Sequence, residues 1–226
     1  MQYKIQNGVV ELSGESILKK IDFEINDNSK IAVVGRNGCG KTTLLKLISG
    51  EYKIVKLDSD QNSFIAVSGK PTIGFLSQMT FEDDNRTLLE EVRSAYGEIL
   101  DLKEKVHIAE NKMRESGDEN DIKEYTNLLD TLTNLGGFYF EKEYEAAIKK
   151  FGFSEEEKHR KLYEFSGGQR TKIAFLKLLL SKPDILLLDE PTKGLDAHFK
   201  KKLADILLSL KNSRSNPAHS SAIKPR

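Results

Sequence analysis

Gly35-Arg36-Asn37-Gly38-Cys39-Gly40-Lys41-Thr42 fits the spacing G-x-x-x-x-G-K-[ST] of a phosphate-binding loop. Ahead of it, Lys30-Ile31-Ala32-Val33-Val34 is a short, β-branched apolar run that reads as a buried strand. Behind it, Thr43-Leu44-Leu45-Lys46-Leu47-Ile48 reads as a helix stopped by Gly50. This strand–loop–helix context is the one the chemistry needs. Glycines let the backbone turn tightly and come close to a ligand. Free N–H groups and the start of a helix then face a polyphosphate. Lys41 is placed to reach the β- and γ-phosphates, and the Thr42 hydroxyl to bind Mg²⁺. Cys39, the single cysteine, sits near a helix start, a setting in which a redox role is conceivable. A small residue filling a loop position explains it more simply than a redox role.

Working outward towards the N-terminus, Val9-Val10-Glu11-Leu12 and Ile21-Asp22-Phe23-Glu24-Ile25 alternate with period 2 and read as half-buried strands. Asn26-Asp27-Asn28 is a turn cluster. On the C-terminal side, Lys53–Val55, Ser63–Val67 and Ile73–Leu76 are strand-like, and Gln78 follows the last of these. An amide there could coordinate Mg²⁺ or hold a water; it could equally be a satisfied loop amide.

Residues 88–135 change character. Leu88, Val92, Ala95, Ile99, Leu102, Val106, Ala109 and Met113 recur at alternating spacings of four and three, a heptad seam. Ser116-Gly117-Asp118 interrupts it, Ile122, Tyr125, Leu129 and Leu132 resume it, and Gly136-Gly137 ends it. Two such stripes joined by a short polar break predict an antiparallel helical hairpin. A helix of about 25 residues would be about 38 Å long and could project. Two helices lying flat on a sheet is the competing arrangement, and the narrow stripe favours projection. The segment carries twelve acids against six bases, which weighs against phosphate-backbone binding along its length. Residues 138–151 read as a further helix ending near Gly152, and Glu155–Lys161 as an exposed charged stretch.

Two further motifs remain. Ser166-Gly167-Gly168-Gln169 precedes an apolar helical run and makes an S-x-x-Q capping box. Capping accounts for Ser166 and Gln169 but not for two glycines in a first helical turn, where they weaken the helix. Glycines there suit a backbone that must approach a phosphate. Ile185-Leu186-Leu187-Leu188 then reads as a buried parallel strand ending in Asp189-Glu190. Ligands of open α/β sheets sit at the carboxyl ends of strands. Asp189 is expected to hold Mg²⁺, and Glu190 to orient or deprotonate an attacking water.

The bulk properties set limits. Lys+Arg and Asp+Glu are equal at 35 each, so no global charge draws the chain to nucleic acid or membrane. With one cysteine no internal disulfide can form, which suits a reducing compartment. No apolar run approaches the roughly 20 residues a membrane span requires, and Met1-Gln2-Tyr3-Lys4 shows no signal peptide. The expectation is a cytoplasmic protein without direct membrane insertion.

In order along the chain, the phosphate loop, Gln78, Ser166–Gln169, Leu187-Leu188-Asp189-Glu190-Pro191-Thr192 and Gly194-Leu195-Asp196 resemble an ATP-binding cassette (ABC) ATPase, most closely the first cassette of the F subfamily. The resemblance covers residues 1–210 or so and implies an α/β P-loop fold, with the cassette bounded at 1–212. That fold has a parallel core sheet, an antiparallel β subdomain and a helical subdomain, with 88–135 as an inserted hairpin arm. It implies Mg-ATP binding by Gly35, Arg36, Asn37, Gly38, Cys39, Gly40, Lys41, Thr42 and Thr43, with Thr42, Gln78 and Asp189 around the metal. Glu190, Gln78 and Lys41 are the implied catalytic residues. Ser166, Gly167, Gly168 and Gln169 would contact ATP held by an opposing cassette, here supplied in trans. A ribosome is the partner implied by the F subfamily; a transporter membrane subunit is the alternative, and an inert ATP-binding remnant is another. Three departures stand out. Lys193-Gly194-Leu195-Asp196 replaces the Asn-His-Leu-Asp usual in the subfamily. Leu12 and Ser13 stand where an adenine-stacking aromatic is usual, with Tyr3 a distant substitute. His219, at the distance of the switch histidine, has no apolar strand before it, and His198 comes too early. Residues 213–226 therefore read as a disordered or foreign tail on an incomplete cassette.

Overall fold

The computed structural model describes residues 3–55, 63–77 and 81–213, with side chains to residue 210. The chain forms two compact units, one of Met1–Phe75 with Leu187–Arg226, the other of Leu76–Leu186.

In the first unit, β1 (Tyr3–Leu12) and β2 (Glu15–Ile25) make an antiparallel hairpin. Ser13 and Gly14 both have positive φ, the backbone that lets a two-residue turn match strand twist. β3 (Phe64–Val67) pairs antiparallel with the other edge of β1, giving the order β2-β1-β3. The β1–β2 register shifts around Gly8. A Cβ on Gly8 would lie 2.6 Å from Ile5 Cγ2, so glycine is required at that bulge. Tyr3, Ile5, Val9 and Val10 are buried. So are Leu47 and Ile48 of α1 (Lys41–Ser49) and Phe199, Leu203 and Ile206 of α7 (Ala197–Ser213). The Tyr3 hydroxyl donates to Leu47 O at 3.4 Å, and burial pushes its pKa up. β4 (Ile73–Leu76) and β5 (Ile185–Leu188) pair as a two-stranded sheet, and the boundary between units runs within these strands.

Two strand expectations fail here. Residues 30–34 form no strand, and Val34 is 90% exposed. An apolar run forms a strand only where another strand pairs with it, and no described strand pairs with this one. Lys30 instead donates its ammonium to the carbonyls of Leu207 (2.6 Å) and Leu208 on α7. Lys53–Val55 is likewise no strand; it makes one ladder-like bond, from Val55 N–H to Val9 O.

The second unit is helical. Thr87 caps α2 (Leu88–Arg93) with a complete capping box. A 3₁₀ turn at Ser94–Tyr96 separates α2 from α3 (Gly97–Ser116), and α4 (Glu119–Asn134) follows. The single seam expected from Leu88 to Met113 is therefore split. Tyr96 turns inward to stack with Phe140 (5.2 Å between centroids) and Tyr144 (6.2 Å) of α5 (Phe140–Phe151). α3 and α4 pack on one another across the Gly117-Asp118 link. Leu102, Val106, Ala109 and Met113 face inward on α3 as the heptad requires, whereas Ile122 is exposed. Asp121 takes its inward place, accepting from Lys112 at 2.7 Å and from the Ser116 hydroxyl at 2.6 Å. Those two donors hold its carboxyl below the ordinary range. α3 has 20 residues and is about 30 Å long, shorter than the sequence suggested.

The stretch 155–161, expected to be exposed, contains a lysine that is only 5% exposed: Lys158 is ion-paired with Glu145 and Glu155. α6 (Gly167–Leu180) carries Ile173, Ala174, Phe175 and Leu176 into the core. No helix among the described residues is long and apolar enough to cross a membrane.

Candidate functional site

The loop before α1 is built as its glycines suggest. Gly38 and Gly40 have φ of +81° and +95°, which L side chains rarely adopt. Gly40 also packs under the hairpin: a Cβ there would meet Leu18 Cδ2 at 2.7 Å. Leu44 N–H donates to Gly40 O at 2.9 Å and starts the helix, leaving the earlier N–H groups of α1 without intrahelical acceptors. The Lys41 side chain arches back over the loop, donating to Gly35 O at 2.9 Å and Arg36 O at 2.8 Å. Its ammonium is thereby held across the mouth of the turn.

The Thr42 hydroxyl donates to Asp189 Oδ2 at 2.8 Å, across 147 positions of sequence. The fold thus brings the hydroxyl after the lysine against the first acid after β5. Two hard oxygens at that separation suit a small divalent cation, whose remaining positions phosphate oxygens and water would fill. Among the described residues no group of three or more His, Cys, Asp or Glu forms a self-sufficient metal site.

Glu190 has a φ of +46°, unusual for a residue with a Cβ. Its carboxylate is exposed and lies 3.5 Å from Lys193 Nζ, in a turn closed by Lys193 N–H on Glu190 O. Glycine at Glu190 relieves that backbone, so Glu190→Gly is expected to raise unfolding free energy by about 0.5–1 kcal/mol in denaturant titrations. An unchanged or lower midpoint would show that the turn carries no strain. Asp196, further on, accepts from Phe199 N–H at 2.7 Å and caps α7.

In the other unit, Ser166 and Gln169 form the reciprocal box expected of them. Ser166 Oγ accepts from Gln169 N–H at 3.3 Å, and Gln169 Oε1 accepts from Ser166 N–H at 3.0 Å. Gly167 is different: a Cβ there would meet nothing within 4 Å. Neither its φ nor packing among the described residues calls for glycine at that position. Ser166 and Gly167 are exposed.

Gln78 and His219 lie outside the described residues. His198 is exposed on α7. Tyr3, the distant candidate for adenine stacking, is excluded because its ring is buried in the β1 core. Lys193, beyond its place in the Lys193–Asp196 segment, pairs with Glu190 as their i,i+3 spacing allows. The sequence reading passed over Arg170, whose signal was a cation in the first turn of a helix, against the helix dipole.

The family model described as "ABC transporter" matches residues 18–193. The Bacillus subtilis ATP-binding protein YdiF is 35% identical over 185 residues, covering 80% of this chain and 28% of that protein. ABC transporter F family member 5 of Arabidopsis thaliana is 31% identical over 198 residues, 85% of this chain and 28% of that protein. The energy-dependent translational throttle protein EttA of Mycobacterium tuberculosis is 31% identical over 182 residues, 80% and 31% respectively. The chain thus spans less than a third of the length of these relatives. Among solved structures, an ATP binding subunit of an ABC transporter superposes with a TM-score of 0.66 at 17% identity, covering 94% of this chain and 76% of that one. The ATP-binding cassette MJ0796, in a dimeric post-hydrolysis state bound to ADP and Pi, gives 0.61 at 20%, covering 94% and 84%. With the match running from β2 through the phosphate loop and α6 to the turn after Asp189, the chain belongs to the ABC transporter family as an ATP-binding cassette.

Proposed function

We propose that this chain is an F-type cassette that binds Mg-ATP, pairs with a second cassette and hydrolyses the nucleotide, using the pairing to move the α3–α4 arm. The observation that carries the reading is the 2.8 Å bond between Thr42 and Asp189. It joins the phosphate loop to the acid that would take the cation.

The roles follow from chemistry. N–H groups of Gly38–Thr43 and the Lys41 ammonium bind the β- and γ-phosphates. Thr42 and Asp189, with Gln78, would hold Mg²⁺, and the cation would supply charge neutralisation at the phosphate oxygens. Water attacks the γ-phosphorus in line as the bond to the β-phosphate oxygen breaks. Glu190 takes the water proton, and ADP and phosphate leave. Ser166 and the first-turn N–H groups of α6 bind the γ-phosphate on the facing cassette. The open space at Gly167 supports that role, since a ligand's approach accounts for a glycine the chain does not otherwise need.

The F-type assignment rests on the relatives named above and on the paired helices α3 and α4, and it carries a ribosome as the expected partner. Lys193-Gly194-Leu195-Asp196 favours a second reading, an ATPase subunit of a membrane transporter. Two measurements decide. Slow Mg-dependent ATP turnover should fall at least about a hundredfold in Glu190→Gln, the scale of losing a general base; robust turnover untouched by that change refutes the assignment. Co-sedimentation with ribosomes that requires ATP supports the F type, while co-purification with an integral membrane subunit supports the transporter.

A further inference from the structure

Arg170 occupies the first turn of α6, where the helix dipole disfavours a cation and where the helix carries no acid of its own. Its guanidinium is engaged elsewhere. Nη1 donates to Leu162 O at 3.0 Å, Nη2 donates to Asp84 Oδ1 at 2.6 Å, and the group stands 5.0 Å over the Phe81 ring. The two strips it grips also bond to each other. Leu162 N–H donates to Arg86 O at 2.9 Å, and Tyr163 N–H to Asp84 O at 3.2 Å. Strip 160–165 runs straight into Ser166. Two helical turns further along α6, Lys177 makes a second tie at 2.6 Å to Glu91, which is only 3% exposed.

We propose that Arg170 is the positioning residue of the Ser166–Gln169 turn. By bonding the strip that leads into Ser166 and the strip beside it, the guanidinium fixes the direction of the first turn of α6. The Ser166 hydroxyl and the Gly167 N–H then meet the γ-phosphate of a facing cassette in one geometry rather than several. A planar fork reaches the carboxylate and the carbonyl from two separate nitrogens held rigidly in one plane, whereas an ammonium would have to draw both acceptors to a single nitrogen at the end of a flexible stem. Capping and packing alone would leave α6 formed without aiming it. Pre-set geometry saves ordering cost at the moment of association.

The inference rests on the pairing reading, so the test separates the two. In the full chain carrying Glu190→Gln, Mg-ATP-dependent self-association is followed by sedimentation velocity and Mg-ATP binding to the monomer by calorimetry. Arg170→Met is expected to weaken association at least tenfold while monomer affinity stays within twofold, because the groups its guanidinium bonds, Leu162 and Asp84, are not part of the phosphate loop. Arg170→Lys should recover only part of the loss. Asp84→Asn, which leaves the arginine in place, should weaken association in the same direction and decides the matter if Arg170→Met does not fold. Unchanged association in Arg170→Met or Asp84→Asn overturns the proposal, even with a lowered melting temperature, and leaves the pairing reading standing. A parent chain that does not associate with Mg-ATP removes the pairing reading and this proposal together.

Discussion

Alanine at Lys41 is expected to weaken Mg-ATP binding about a hundredfold or more while barely changing the stability of the nucleotide-free chain. Each charge-assisted bond from the ammonium to phosphate oxygen contributes about 1.5–3 kcal/mol, and two such bonds give a hundredfold at the low end of that range. Without nucleotide the ammonium bonds only the carbonyls of Gly35 and Arg36, in an exposed position. Those carbonyls can turn to water, so the apo chain should lose under about 1 kcal/mol. Thermal shift resolves the two effects. At a concentration a hundred times the wild-type Kd, ligand stabilises by about 2.7 kcal/mol, whereas a hundredfold weaker variant retains about 0.4 kcal/mol. A Lys41→Ala chain whose melting temperature still rises with Mg-ATP as the parent's does would show that the loop does not hold the polyphosphate. Thr42→Val should act mainly through the cation, so its loss should shrink when Mg²⁺ is omitted from both chains.

What could be read in the sequence was what local chemistry imposes. The phosphate loop, the Ser166 box and the helix stops at Gly50, Gly117 and Gly152 each need particular residues within a few positions of one another, and each formed in place. Family resemblance extended this reach to the pairing of Thr42 with Asp189, which no local rule would supply. The failures share a cause: burial is decided by partners distant in sequence. Ile31–Val34 looks like a core strand by composition, yet nothing described here pairs with it. Lys158 looks like a solvated charge, yet Glu145 reaches it from α5 and makes its burial tolerable. The heptad rhythm through Ala95 and Ile99 is real, but Tyr96 has a better use inside the Phe140–Tyr144 cluster, and the helix breaks to admit it.

That cluster sets the second large expectation. Phe140→Ala should cost about 3–5 kcal/mol of unfolding free energy, the range for truncating a fully buried aromatic. The ring is 2% exposed at the start of α5 and contacts Tyr96 at 5.2 Å and Tyr144 at 5.9 Å. The Lys103 ammonium of α3 stands 5.0 Å from its centre, so the ring joins α3, the Ser94–Tyr96 turn and α5. The chain has no tryptophan, so near-ultraviolet circular dichroism in a urea titration is a tyrosine and phenylalanine signal to which the buried Tyr96 and Tyr144 contribute alongside Tyr3. Phe140→Leu should cost about a third as much, since it leaves a smaller cavity but still loses the edge contacts with the tyrosines. A double-mutant cycle with Tyr96→Ala should show coupling of about 0.5–1.5 kcal/mol beyond the lost area. A cost under about 1 kcal/mol for Phe140→Ala would mean that the site collapses without penalty and that the ring does not anchor α3. If the ring does anchor it, α3 has a rigid root, which the proposed movement of the α3–α4 arm requires.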